Sequence, residues 1–252
     1  MANKSKVIDK AIFLDLDGVL FDTLKEAYCV STLATTNKRS IGSINFESEH
    51  FKIFKKYRFL INCATDYYDL LKAIDKKSED RSIDIARDFR LHCNIDSLEK
   101  QIFEKRFLKA RRYIRVKYPK FWLSLNTPYN FLYKISEIIK EAKPPFFIIT
   151  TKDKDTVLQL LKVHKVNFSS DNIYDGKYYK RFNSKGGVVK FIIDKYRVRK
   201  SLIIDDSRDH LCSCGGITGL VRIHAGWGYV LTDNNSECEK EAIYKIKKIL
   251  GA

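Results

Sequence analysis

At 252 residues the chain is long enough for one large domain, or for a core domain that carries a smaller one. Its 44% hydrophobic and 31% charged residues, the charges mixed in sign, exclude a disordered chain and describe a folded globular protein. The formal net charge of +16 favours anionic partners, and phosphorylated metabolites and nucleic acid both qualify. The basic residues run through the whole chain rather than forming one tail, so solvated helix faces are the weightier explanation of that charge.

The N-terminus begins basic, but its apolar run is short and broken by Asp15, so neither a signal peptide nor a membrane span is expected. The six scattered cysteines contain no CxxC pair, which predicts reduced thiols and a cytoplasmic protein. "AIFLDL" (11–16) predicts a first buried strand. From residue 24 to about 125 helical spacing dominates, for example Leu98, Ile102, Phe107, Ala110 and Ile114, and no strand alternation is visible. Within it, "FKIFKKYRF" (51–59) and "KARRYIRVKYPK" (109–120) mix cations with aromatics, a composition shared by nucleic-acid-binding segments and by amphipathic helices facing a core.

"LNTPYNFL" (125–132) marks the exit from this insert, and a helix over "FLYKISEIIKEA" is stopped by "AKPPFF". "FFIIT" (146–150), "SLIID" (201–205) and "GLVRI" (219–223) predict further strands, with helices over 155–164 and 186–196 between them. "HLCSC" (210–214) gathers His210, Cys212 and Cys214 but has no second ligand pair, so a structural zinc site is not expected. Ser236 and Glu239 have the spacing of a capping box ahead of a closing helix. The alternation predicts an α/β fold: a Rossmann-like, doubly wound, mostly parallel sheet core (1–22 and 125–252) with an inserted α-helical domain (23–124).

In such sheets reactive groups collect at the C-terminal strand ends, where Asp15, Thr150, Asp205 and Asp206 all fall. Crowded carboxylates repel and need a counter-charge, which a hard cation with oxygen ligands such as Mg²⁺ supplies.

Four segments in this order resemble the haloacid dehalogenase-like (HAD) hydrolases. "DLDGVLFDT" (15–23) resembles their first motif, and the resemblance implies that Asp15 is a nucleophile and Asp17 an acid and base. "FFIITTK" (146–152) resembles the second motif and maps a phosphate-binding hydroxyl to Thr150; "TTK" is similar to the Thr-Asn-Lys of phosphoglycolate phosphatase-like members, with Thr151 in place of Asn. "NSKGG" (183–187) resembles the third and maps its phosphate lysine to Lys185, with Lys177, Lys180 and Lys190 as alternatives. "LIIDDSRDH" (202–210) resembles the fourth, whose acidic pair maps to Asp205 and Asp206 as metal ligands beside Asp15 and Asp17. Asp209 is placed in support of the metal, and His210 and His224 are read as structural. "HAGWGYV" (224–230) resembles the loop bordering the active site of the phosphoglycolate phosphatase-like subgroup, and the insert lies where the family places a helical cap.

The resemblance implies a Mg²⁺-dependent phosphatase of a small phosphorylated metabolite, working through an aspartyl-phosphate. The acid at Asp17 favours phosphate esters over halides, because an alkoxide needs a proton on leaving and a halide does not. Three alternatives stay open: a phosphatase of nucleic-acid 3′-phosphate ends, a phosphomutase, and a non-catalytic protein that binds an anion or partner on the same fold. No membrane partner is expected, and nucleic acid ranks behind a small substrate.

Overall fold

The computed structural model describes residues 7–36, 41–141, 145–231 and 236–251. Its first strand, β1 (Lys10–Leu14), consists of four residues with no access to water, preceded by one lysine, which suits a position in the middle of a sheet. The chain then divides into two compact units, residues 1–22 with 128–252, and residues 23–127. Two-residue strands, β2 (Phe21–Asp22) and β3 (Thr127–Pro128), stand at the two passages between them.

The inserted unit is helical: α1 (Leu24–Thr36), α2 (Glu49–Tyr57), α3 (Asp66–Glu79), α4 (Ile85–His92), α5 (Leu98–Lys117) and α6 (Pro119–Ser124). Side-chain caps at Ser48, Asp84 and Ser97 start three of these helices by accepting otherwise unpaired first-turn N–H groups. Rings form its centre: Phe54 stacks on Tyr67 at 5.7 Å and Tyr67 on Phe107 at 5.5 Å. Two of the four aromatics of "FKIFKKYRF" belong to this core, Phe51 and Phe54 being buried against Tyr28, while Tyr57 and Phe59 are half-buried. On α5 the buried stripe is Phe103, Phe107 and Ile114, whereas Leu98 and Ile102 are exposed at 69% and 39%. The apolar spacing read from Leu98 and Ile102 is therefore corrected: the helix is turned so that the aromatics, with more area to bury, face inward.

After β3 come α7 (Asn130–Glu141), β4 (Phe146–Ile149), α8 (Lys154–Val163), β5 (Ile173–Tyr174), α9 (Gly176–Phe182), α10 (Lys185–Tyr196), β6 (Lys200–Asp205), α11 (Arg208–Ser213), β7 (Leu220–His224) and α12 (Glu239–Leu250). The expected stop over "AKPPFF" lies largely outside the described residues. The strands form one parallel sheet in the order β5-β4-β1-β6-β7, so successive crossovers leave β1 in both directions, the doubly wound topology expected. Phe13, Phe147, Ile149 and Ile203 bury one sheet face against Val188, Val189 and Ile192 of α10.

Strand β5 escaped the sequence reading because two residues are too few to show a period. The closing cap also moves. Glu241, not Glu239, accepts from the Cys238 backbone N–H at 2.8 Å, because α12 starts two residues later than the Ser236 spacing implied.

Candidate active site

Register brings the site together. Leu14 pairs with Ile148 of β4 and with Ile204 of β6, so Asp15 emerges beside the ends of both neighbouring strands, with its N–H bonded to the Ile204 carbonyl at 3.0 Å. The Asp15 carboxylate is buried; its Oδ1 accepts from the Leu16 N–H at 2.7 Å and from Lys185 Nζ at 2.7 Å. Lys185 is 1% exposed at the first turn of α10 and also donates to Asp205 Oδ2 at 2.6 Å, so one ammonium bridges two strand ends. Asp205 Oδ1 accepts from the Ser207 N–H at 2.9 Å and faces His210 Nδ1 at 3.3 Å.

Asp17 lies two residues beyond Asp15, where the chain turns: the Gly18 N–H donates to the Phe21 carbonyl at 2.8 Å and Gly18 has φ of +81°. A Cβ at Gly18 would collide with the Asp206 carboxylate, and one at Gly228 would come within 2.5 Å of Asp206 Cβ. Glycine at both positions thus lets two loops close around Asp206. The Tyr229 N–H donates to Asp206 Oδ2 at 2.8 Å, and the Tyr229 hydroxyl to Asp22 Oδ1 at 2.8 Å. Trp227 Nε1 donates to the Val19 carbonyl at 3.0 Å, so "HAGWGYV" clamps the loop that carries Asp17.

At the end of β4, buried Thr150 accepts the Lys152 N–H on its hydroxyl oxygen at 3.1 Å, which orients that hydroxyl's own proton elsewhere. Thr151 is half-buried in the same turn. Lys152 was not singled out from the sequence, yet it is 2% exposed with Nζ 3.0 Å from Asp17 Oδ1. Its signal was its place as the last residue of "TTK". Among the four lysines weighed for the phosphate role, Lys185 alone is buried; Lys177, Lys180 and Lys190 are exposed. Asp209 is exposed in the first turn of α11, and His224 Nε2 lies 3.1 Å from the Asp206 carbonyl.

Electrostatics separate the carboxylates. Burial pushes Asp15 well above the usual carboxylate range; Lys185 opposes this, while Asp205, Asp206 and Asp17 add to it. Burial acts on Asp205 in the same direction, but Lys185 and His210 outweigh it and hold Asp205 well below that range. Lys185 is raised: its burial disfavours the charge, and Asp15 and Asp205 together more than restore it. Four carboxylates thus lie around two buried lysines, and the imbalance is felt most at Asp15, whose ionised form is the disfavoured one.

That imbalance tests whether a metal fits. Among the described residues, Asp15, Asp205 and His210 have potential ligand atoms within 4.8 Å of one another. Hydrogen bonding already accounts for that trio, since Asp205 is engaged at both oxygens. Asp15, the Asp206 carboxylate cradled by Gly18 and Gly228, and the Asp17 carbonyl offer oxygen donors alone, which fits a hard divalent cation.

No family model matches the chain, and no curated protein sequence matches it. Solved structures share its fold. A predicted phosphatase from Clostridium acetobutylicum is 16% identical with TM-score 0.59, covering 96% of this chain and 100% of its own. A predicted phosphoglycolate phosphatase from Haemophilus somnus is 16% identical with TM-score 0.56, covering 88% and 87%. A HAD family hydrolase from Deinococcus radiodurans, solved with bound phosphate and sodium, is 13% identical with TM-score 0.51, covering 97% of each chain. These structures and this chain share one fold, a mostly parallel α/β sheet with flanking helices, as the alternation of strands and helices led one to expect.

Proposed function

We propose that the chain is a Mg²⁺-dependent phosphatase that hydrolyses a small phosphorylated metabolite through an aspartyl-phosphate. The observation that carries this is the arrangement around Asp15: a buried carboxylate at a strand end, bridged by Lys185 to Asp205 and surrounded by more negative charge than the lysines balance.

Asp15 Oδ1 is held by Leu16 N–H and Lys185, which leaves Oδ2 to attack phosphorus. The bond to the leaving oxygen breaks as the new P–O bond forms, and Asp17 delivers a proton to that alkoxide. In the second displacement Asp17 takes a proton from water, whose oxygen attacks phosphorus; phosphate departs and Asp15 is regenerated. Lys185 and the Thr150 hydroxyl, with Thr151 beside it, bind the phosphoryl oxygens as charge develops on them. Asp15, Asp206 and the Asp17 carbonyl would hold Mg²⁺, which supplies positive charge that keeps Asp15 ionised and draws it toward an anionic substrate. Asp205 anchors Lys185.

The inserted helical unit takes the role of a cap that selects the substrate. The reducing cytoplasm is the compartment that suits six unpaired cysteines, and no described helix is long and apolar enough to cross a membrane.

The experiment is phosphate release from an aryl phosphate and a panel of sugar phosphates, phosphoglycolate, nucleotides and 3′-phosphorylated oligonucleotides, with and without Mg²⁺. Metal-dependent release that vanishes in Asp15→Asn supports the reading. Release that survives the substitution overturns it, and transfer to a second substrate hydroxyl instead of water would make the protein a mutase.

A further inference from the structure

The charge of the helical unit is concentrated on one helix. α5 contains eight Lys or Arg and two Glu in its 20 residues, and after Glu104 the chain has no acidic residue until Glu137. Two of the eight cations are committed inside the unit: Lys100 to Asp69 at 2.7 Å and Arg111 to Glu26 at 2.7 Å. Lys105, Arg106, Lys109, Arg112 and Lys117 are exposed. Lys105, Lys109 and Arg112 follow one another at i, i+4 and i+7, so they share one line along the helix, with Arg106 and Lys117 to one side. Seven residues rise about 10 Å along the helix axis, a length over which a nucleic-acid strand at about 3.4 Å per phosphate presents several phosphates.

The geometry points to the outward face of α5 as a docking surface for the phosphate backbone of a nucleic acid. Charge complementarity carries the inference: a row of exposed cations, with no acidic residue between Glu104 and Glu137, on a chain of net charge +16. A membrane surface fits less well. The apolar face of α5, with Phe103, Phe107 and Ile114, is buried in its own unit and is not available for insertion. Of the exposed apolar residues, Leu98 and Ile102 are neighbours at the start of the helix and Leu108 and Val116 stand apart among the cations, so no continuous apolar stripe opposes the basic row. "FKIFKKYRF", the other basic aromatic segment, has its buried rings in the core, so α5 is the stronger candidate. The inference stands apart from the phosphatase reading, because binding is measured without turnover.

The test is fluorescence anisotropy of labelled single-stranded and duplex oligonucleotides with the full chain across a salt series. It compares wild type with two triple variants: Lys105→Gln/Lys109→Gln/Arg112→Gln on α5, and Lys240→Gln/Lys247→Gln/Lys248→Gln on α12. All six residues are exposed, so thermal melts should show both variants folded, and each removes the same charge. The expected result is at least about tenfold weaker binding for the α5 variant at about 0.1 M salt. The slope of log K against log salt for single strands should fall by about 2, at about 0.7 per phosphate contact. The α12 variant should change affinity less than about twofold. Absence of binding by wild type, or equal losses in both variants, overturns the proposal. So does binding to phosphatidylserine vesicles without binding to oligonucleotides, which would make the face a membrane contact.

Discussion

The two units of this chain bury charge in opposite ways. In the helical unit buried charges are met within the unit: Glu26 accepts from Arg111 in a two-point contact, Asp69 meets Lys100, which also donates to the His92 and Cys93 carbonyls, Asp66 accepts from the Asn62 and Cys63 N–H groups, and Arg58 donates to the Ile61 carbonyl. In the α/β unit Asp15, Asp205 and Asp206 converge at one sheet edge, with Asp17 close by, and two buried lysines do not balance them. Charges met in this way, by an opposite ion or by backbone groups close at hand, have their desolvation offset and need nothing further. An unbalanced cluster costs stability unless an outside ligand completes it, which is the mark of a site.

The largest effect that could break this contrast is Glu26→Gln. Removing one partner leaves Arg111 buried and uncompensated, so unfolding free energy in urea should fall by about 3–5 kcal/mol. Turnover by the folded fraction should stay near wild type; a loss of turnover without a loss of stability would erase the distinction between the units.

Lys152→Met sharpens the contrast from the other side. In the proposed mechanism the ion pair orients Asp17 as the proton-transfer group, so kcat should fall by about ten- to a hundredfold, less than the roughly 10²–10⁴-fold of losing an acid–base group outright, because Asp17 itself stays in place. The loss should be greater for alkyl than for aryl phosphates, since only the poorer leaving group depends on the proton. An equal loss for both classes would reduce Lys152 to a packing residue.

The smallest effect lies in the pH dependence of stability. Asp205 has a folded-state pKa below its unfolded value, so its contribution is present above about pH 4 and is lost as the pH falls through the folded value. The Tm difference between wild type and Asp205→Asn should therefore be widest near pH 7 and narrow as acid is added below pH 4. A difference that stays constant over that range would mean that Lys185 does not hold Asp205 ionised.

Much of this was legible in the chain itself. Three of the four short apolar runs marked the central strands β4, β1 and β6, because a strand buried on both faces needs nothing but apolar residues, and that demand is local; the fourth fell on the edge strand β7, which is half exposed. Acids placed directly after such runs had to stand at the sheet's C-terminal edge, so Asp15, Asp205 and Asp206 could be assigned to one crevice from their positions alone. The long stretch of helical spacing after residue 23 likewise announced an insert.

Tertiary structure decided the rest. The local motif "NSKGG" favoured Lys185 over Lys177, Lys180 and Lys190, but the burial of Lys185 follows from α10 beginning beside the ends of β1 and β6. Lys152 became part of the site because β4 delivers it to Asp17, a residue 135 positions earlier. The rotation of α5 was settled by which side chains had the most area to bury against sequence-distant partners. Periodicity reports which residues avoid water, but a buried charge is stable only beside its partner, and that partner is supplied by the fold.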